Sequence, residues 1–144
     1  MAMPPRAIPG SNPMMSTAAS ALRAQQARMR VIAENIANAD STAATAGGDP
    51  YRRKEVVLAA KPVGRGGPMG VSVTRVVPDS ANFKREYDPS HPAADAQGYV
   101  KKPNVDGLIE ALDLKEAQRA YEANLNVIET ARAMDQRTLD ILKR

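Results

Sequence analysis

Cysteine is absent from the 144 residues, so neither a disulfide nor a thiolate-held metal site is available. Tryptophan is absent as well, and phenylalanine occurs once, which removes most of the side chains that bury large areas. Leucine, isoleucine, valine and phenylalanine together make up 26 of the 144 residues, or 18%, below what a self-sufficient core needs. No stretch approaches about 18 consecutive apolar residues, so no helical membrane span is expected. Residues 1–13 hold Arg6 and Ile8 among prolines and small residues. They lack an apolar h-region, so no cleavable signal peptide is expected. The formal net charge of +4 is too small for repulsion to keep the chain unfolded. A thin core with modest charge leaves two readings: a sparsely packed monomer, or a subunit that completes its core by assembling with others.

What is present is mostly helix. Residues 1–12, with Pro4, Pro5 and Pro9, read as a flexible N-terminal tail. Asn12-Pro13 is a helix start, with Asn as N-cap and Pro at the first helical position. From there to about Ala39, Met15, Ala18, Leu22, Gln25, Met29, Ile32, Ile36 and Ala39 recur at a spacing of three and four, the seam of a coiled coil. Gln25 is its polar member, suited either to fixing register or to facing water at a loose end. The segment 13–42 is therefore expected to be one helix of the core.

Residues 43–102 change character. Tyr51 to Ala60, Val71 to Val77 and Phe83 to Tyr87 are rich in valine or aromatics and bounded by proline and glycine, and read as strands. Glu55 to Leu58 and Val71 to Thr74 are placed to pair as a hairpin across Gly64 to Gly70. Asp88 to Lys102 reads as an extended connector. The last segment, 103–144, has no proline after Pro103 and no glycine after Gly107, and predicts a helix to Leu142 with Asn104 as N-cap and Asp106 in its first turn. Its apolar residues fall into two stripes. One holds Leu114, Ala117, Tyr121, Leu125, Ile128, Leu139 and Leu142; the other holds Ile109, Leu112, Ala120, Ala123, Val127, Met134 and Ile141. A helix in a simple hairpin needs one stripe, so two stripes predict two packing partners. The fold class is mainly α with a small β insert: two long terminal helices able to pair antiparallel, with a β-hairpin and extended segments between them.

The candidates for chemistry are few. His91 is the only histidine and sits between Ser90 and Pro92, without further ligands at a suitable spacing. Gly64 to Gly70 lacks the Gly-Lys-Ser/Thr ending of a phosphate loop, and Pro68 removes a donor, so a hairpin turn is the better reading. Glu110, Asp113 and Glu116 are expected to form a solvated or interfacial face. No catalytic, metal or cofactor site is expected, and no enzyme class. Scattered basic pairs (Arg52-Arg53-Lys54, Lys84-Arg85, Lys101-Lys102) with Tyr51, Phe83, Tyr87 and Tyr99 leave a small nucleic-acid-binding protein as the alternative function.

Two stretches carry a family resemblance. Residues 24–40, with Asn35-Ile36-Ala37-Asn38, resemble the N-terminal signature of bacterial flagellar rod and hook proteins. Residues 117–124, with Arg119-Ala120-Tyr121 and Asn124, resemble their C-terminal signature. Residues 50–57 and 87–105 are similar to a proximal-rod member, with another rod protein of the family, such as FlgB or FlgF, as the alternative. Ser41 stands where those relatives usually carry threonine, and Thr42 follows it.

The resemblance implies a structural subunit of the basal-body rod, assembling helically into a tubular drive shaft that carries torque across the periplasm. Its terminal helices would pair as a coiled coil. It would leave the cell without a cleaved signal, through the flagellar type III export apparatus. Its partners would be its own copies and other axial subunits (FlgB, FlgF, FlgG and FliE). It further implies a seam of Leu22, Met29, Ile32 and Ile36 against Tyr121, Leu125 and Ile128, with Gln25 and Leu114 in line. Asn35, Asn38 and Asn124 would bond backbone between helices. Val127 and Met134 on the second stripe would meet a neighbour, and Leu139 would continue the first stripe.

Overall fold

The computed structural model describes residues 12–143, in which two terminal helices flank, in sequence, two small antiparallel sheets. The expected tail therefore lies outside the described residues, except for Asn12. Asn12 caps the first helix, α1 (Pro13–Ala37), and its side chain accepts from the Met14 N–H at 2.9 Å. The second helix, α2 (Gly107–Leu142), starts later than expected, and its N-cap is Asp106, which accepts from the Leu108 and Ile109 N–H groups. Asn104 does not serve as the cap because its amide is engaged elsewhere. It accepts from the Arg53 N–H at 2.7 Å and donates to the carbonyls of Asp79 and Ala81.

The first sheet is a hairpin of β1 (Lys54–Pro62) and β2 (Met69–Pro78), in register from Lys54 opposite Pro78 to Pro62 opposite Met69, with an irregularity at Val57/Leu58. Gly64 and Gly66 turn the chain at φ of 73° and 69°, which side-chain-bearing residues rarely adopt. Gly70 matters for space, since a Cβ there would run into Ser20 Oγ and Val63 Cγ2 where the hairpin lies on α1. The second sheet pairs β3 (Lys84–Tyr87) with β4 (Tyr99–Lys102). The expected connector from Asp88 to Lys102 thus ends in a strand. Tyr99 and Val100 favour extended backbone, and the tight turn before them rests on Asp95, whose carboxylate accepts from the Gln97 and Tyr99 N–H groups.

The buried apolar residues among those described are Ala18, Ala24, Val31, Ile32, Ala93, Val100, Val105, Ala117 and Ala131. Five of the nine are alanines, so each contributes little buried area and the core is as thin as the composition predicts. Of the large seam residues expected from the spacing only Ile32 is buried; the other buried apolar positions on the two helices are chiefly the small residues Ala18, Ala24, Ala117 and Ala131. Leu22, Met29, Leu114, Tyr121 and Ile128 are half-buried, whereas Ile36 and Leu125 are exposed. On α2 the buried positions Glu110, Ala117 and Ala131 fall on one line, with half-buried Asn124 between the alanines. That line repeats every seven residues, the interval that keeps one face of a helix against a partner.

Candidate functional site

The largest fully buried side chain is not apolar but is Glu110, in the first turn of α2. It was expected to share a solvated or interfacial face with Asp113 and Glu116; only Glu116 is well exposed. A buried carboxylate needs a cation and donors, and both come from sequence-distant segments. Arg53, just before β1, pairs through Nε with Glu110 Oε1. Its Nη1 pairs with Glu55 and, at 3.2 Å, with Asp79; its Nη2 lies 3.6 Å from Asp113. One guanidinium thereby gathers carboxylates from β1, from the turn after β2 and from α2. Arginine suits this place because its donors are spread over a rigid fork.

Asn35, buried on α1, completes the cluster. Its Nδ2 donates to the Lys54 carbonyl at 2.9 Å and to Glu110 Oε2 at 3.4 Å. Its Oδ1 accepts from the Lys54 N–H at 3.0 Å and from the Tyr51 hydroxyl at 2.8 Å. Holding both the N–H and the C=O of one residue, the amide occupies the outer edge of β1 as a neighbouring strand would. Near the other end of the hairpin Ser20 accepts from the Val71 N–H at 3.0 Å and Thr17 donates to the Met69 carbonyl at 2.9 Å, so α1 also holds the outer edge of β2.

The electrostatics follow from this crowding. Burial alone would lower the Arg53 guanidinium, but its hydrogen bonds to Glu110 and Glu55 outweigh that and hold it above its ordinary value. Burial, then the charges of Glu34 and Glu110, raise Tyr51, which stays a donor to Asn35. The Ala81 N–H, then Arg53, hold Asp79 below the usual carboxylate range against the opposing effect of burial. A carboxyl depressed in the folded chain stabilises it above the unfolded-state value of about 3.9, and that contribution disappears as pH falls through the lower folded value. The acid limb of stability is therefore expected to flatten in Asp79→Asn, as read by urea midpoints between pH 5 and 2.

The three asparagines do not behave alike. Asn38 Nδ2 donates to the Glu34 carbonyl and Asn124 Nδ2 to the Ala120 carbonyl, each within its own helix. Asn35 reaches backbone outside its helix, though that backbone belongs to β1 and not to α2. Gln25 carries a buried Oε1 with no hydrogen-bond partner among the described residues. An unsatisfied acceptor of this kind costs about 1–3 kcal/mol, so Gln25→Leu is expected to raise the thermal midpoint by about 2–12 °C in calorimetry.

The second stripe of α2 is open: Ile109, Leu112 and Met134 are 52%, 59% and 55% exposed. Leu125 and Val127, placed on different stripes, are equally exposed at 37% and 38%. Leu139 and Leu142, beyond the reach of α1, are exposed as well. Val127 and Asn124 share a hollow of about 300 Å³ with Pro13, Met14, Thr17, Ala18 and Pro68.

The residues that a nucleic-acid site would need are engaged with one another. Arg52 lies 4.1 Å over the Phe83 ring and Arg85 lies 4.8 Å over Tyr99, which meets Tyr87 edge to face. His91 Nδ1 accepts from the Ala93 N–H within a turn.

Neither Glu110 nor Arg53 was legible as a site. Arg53 stands in a run of basic residues, and Glu110 in a run of acidic ones. The available signal was the seven-residue line from Glu110 through Ala117 and Ala131, which puts that carboxylate on the packed face.

Residues 15–44 match the Flagella basal body rod protein family, and residues 96–141 match the family of the Flagellar basal body rod FlgEFG protein C-terminal region. The chain is 48% identical over 126 residues to a flagellar basal-body rod protein FlgC of Agrobacterium fabrum, covering 88% of this chain and 91% of the relative. A protein of the same name from Escherichia coli O6:H1 is 43% identical over 124 residues, 86% of this chain and 92% of its own. The Bacillus subtilis protein of that name is 40% identical over 145 aligned positions, covering 90% and 96%.

Proposed function

The chain belongs to the flagella basal body rod protein family as a structural subunit of the basal-body rod, and we propose that it works there by pairing its terminal helices as an antiparallel coiled coil whose open stripe takes up neighbouring subunits. The order of the helix contacts supports the pairing. Arg28 meets Glu116 at 3.4 Å and Asn35 meets Glu110, so positions rise on α1 as they fall on α2. Small residues at the centre allow close approach, and Leu22, Met29, Tyr121 and Ile128 flank it.

The observation that carries the assembly reading is the open stripe. Ile109, Leu112 and Met134 are regularly placed on a helix, apolar, and uncovered among the described residues. A row of this kind marks a protein–protein surface. The partners are further copies and the axial subunits already named. The insert faces outward, and the assembled tube crosses the periplasm and carries torque without turnover of any substrate. Export proceeds through the flagellar type III apparatus. Electron microscopy of purified basal bodies, with this chain traced, tests the reading. The expected result places Ile109, Leu112 and Val127 against a neighbour. A traced α2 with those residues facing water overturns it.

A further inference from the structure

The hairpin of β1 and β2 lies on α1, the sheet of β3 and β4 packs on no other element, and among the described residues no strand packs against α2. Yet α2 is the longer helix and carries the open stripe. A subunit that transmits force between its helices and its insert needs the two to keep a fixed relation. Apart from chain linkage through residues 103–106 and the contacts that both make with α1, Asn35 included, what joins α2 to the root of the hairpin is the Arg53 side chain.

We infer that Arg53 is a positioning residue, the joint through which α2 sets the attitude of the hairpin of the β insert. Three features of the site carry this. The carboxylates that Arg53 gathers come from three segments: Glu55 on β1, Asp79 in the turn after β2, and Glu110 with Asp113 on α2. The backbone of Arg53 is fixed by the segment before α2 and by the turn after β2, its N–H by Asn104 and its carbonyl by the Asp79 N–H at 2.8 Å. The third feature is Asn35, which bonds both Glu110 and Lys54, so the carboxylate on α2 and the clasp on β1 meet at one residue of α1. Four carboxylates around one guanidinium carry an excess of negative charge. Without the guanidinium they repel one another, and the hairpin, still held to α1, is free to shift against α2. Lysine is no substitute, because a single ammonium on a flexible stem does not span carboxylates on opposite sides of the fork.

A joint differs from a mere stabilising pair in what an apolar replacement does. A buried ion pair exchanged for well-packed apolar residues often retains or improves stability. The double variant Arg53→Met/Glu110→Met therefore keeps the helices together but loses the fork that orients the insert.

The chain has no cysteine, so introduced cysteines take spin labels at chosen positions only. One pair, Arg75→Cys and Lys115→Cys, reports the hairpin against α2. A second, Arg30→Cys and Arg119→Cys, reports α1 against α2. In the double variant the hairpin-to-α2 distance distribution is expected to widen at least twofold, while the helix-to-helix distribution stays as narrow as in the parent. Three results overturn the inference: a hairpin distribution as narrow as the parent's, equal widening of both pairs, or a hairpin distribution already as wide in the parent. Swimming is a second readout that rests on the rod-subunit reading. A double variant with a widened hairpin that still swims leaves the joint in place and counts against the need for a fixed insert in the rod. One with unchanged distances counts against the joint however it swims.

Discussion

Asn35→Asp is expected to lower the free energy of unfolding by about 3–5 kcal/mol, the range found when one partner of a buried charged or hydrogen-bonded set is removed. The change is a single NH2 replaced by oxygen, and the geometry explains why it is severe. The Asn35 amide is used on both sides: Oδ1 accepts twice and Nδ2 donates twice. A carboxylate is acceptor-only. It would keep the bonds from Lys54 N–H and the Tyr51 hydroxyl, but it would set an oxygen against the Lys54 carbonyl and a like charge against Glu110. Asn35→Leu removes the repulsion and loses every bond, leaving the N–H and C=O of Lys54 and the Tyr51 hydroxyl short of a partner. Each such loss costs about 1–3 kcal/mol where water does not enter. The control is Asn38→Asp, three residues along the same helix. Asn38 sits at the C-cap and its Nδ2 donates only to the Glu34 carbonyl, so its replacement is expected to cost less than about 1 kcal/mol. Urea denaturation of both variants gives the comparison. Equal effects at the two positions would mean that Asn35 is not the clasp described here.

The contrast between those two asparagines shows what a sequence conveys and what it withholds. Local rules were sufficient for the start of α1, because Asn12-Pro13 satisfies a cap within two residues, and for the hairpin, because the Gly64–Gly70 turn is flanked by valine-rich strands. The two-stripe pattern on α2 was likewise visible from helical spacing, and its second stripe is open. The N-cap of α2 was misplaced because Asn104 and Asp106 are equally good caps locally, and a long-range demand, the Arg53 N–H, claims Asn104. β4 was missed because its partner strand lies across a turn whose stability comes from Asp95 and not from glycine and proline alone. The Glu110–Arg53 pair spans 57 positions; nothing next to Arg53 distinguishes it from its basic neighbours, and the seven-residue line that marks Glu110 as packed does not name its partner. Large seam residues were overvalued for a related reason. Periodicity locates the packed face, but the closeness of the helices decides whether alanine or leucine sits at its centre. Here Ala24, Ala117 and Ala131 do, and Ile36 and Leu125 are left at the margin.

The second large effect separates the two faces of α2 by phenotype. Leu125 and Val127 would not separate them, since their exposures are nearly equal. Ala117 and Leu112 will. Ala117 is completely buried on the face toward α1, whereas Leu112 on the second stripe is 59% exposed. Ala117→Asp puts a longer, charged side chain into a completely buried position on the packed face of α2. The expected loss exceeds about 3 kcal/mol, from overpacking and unpaired burial together. In a chain with so thin a core that removes most of the helical circular dichroism signal, and with it rod formation and swimming. Leu112→Asp meets solvent in the isolated chain, so its urea midpoint should move by no more than about 0.5 kcal/mol in equivalent free energy. In the rod the same carboxylate would be trapped against a neighbouring subunit, where burial without a partner costs several kcal/mol per interface and recurs at every copy. Leu112→Asp is therefore expected to be secreted in normal amounts, to keep parental helicity, and to abolish rods and motility. Three measurements on each variant decide it: secreted amount, circular dichroism and swimming. Cells carrying Leu112→Asp that swim like the parent would show that the second stripe faces water in the assembled rod, and the coupling of this helix to its neighbours would have to run through another face.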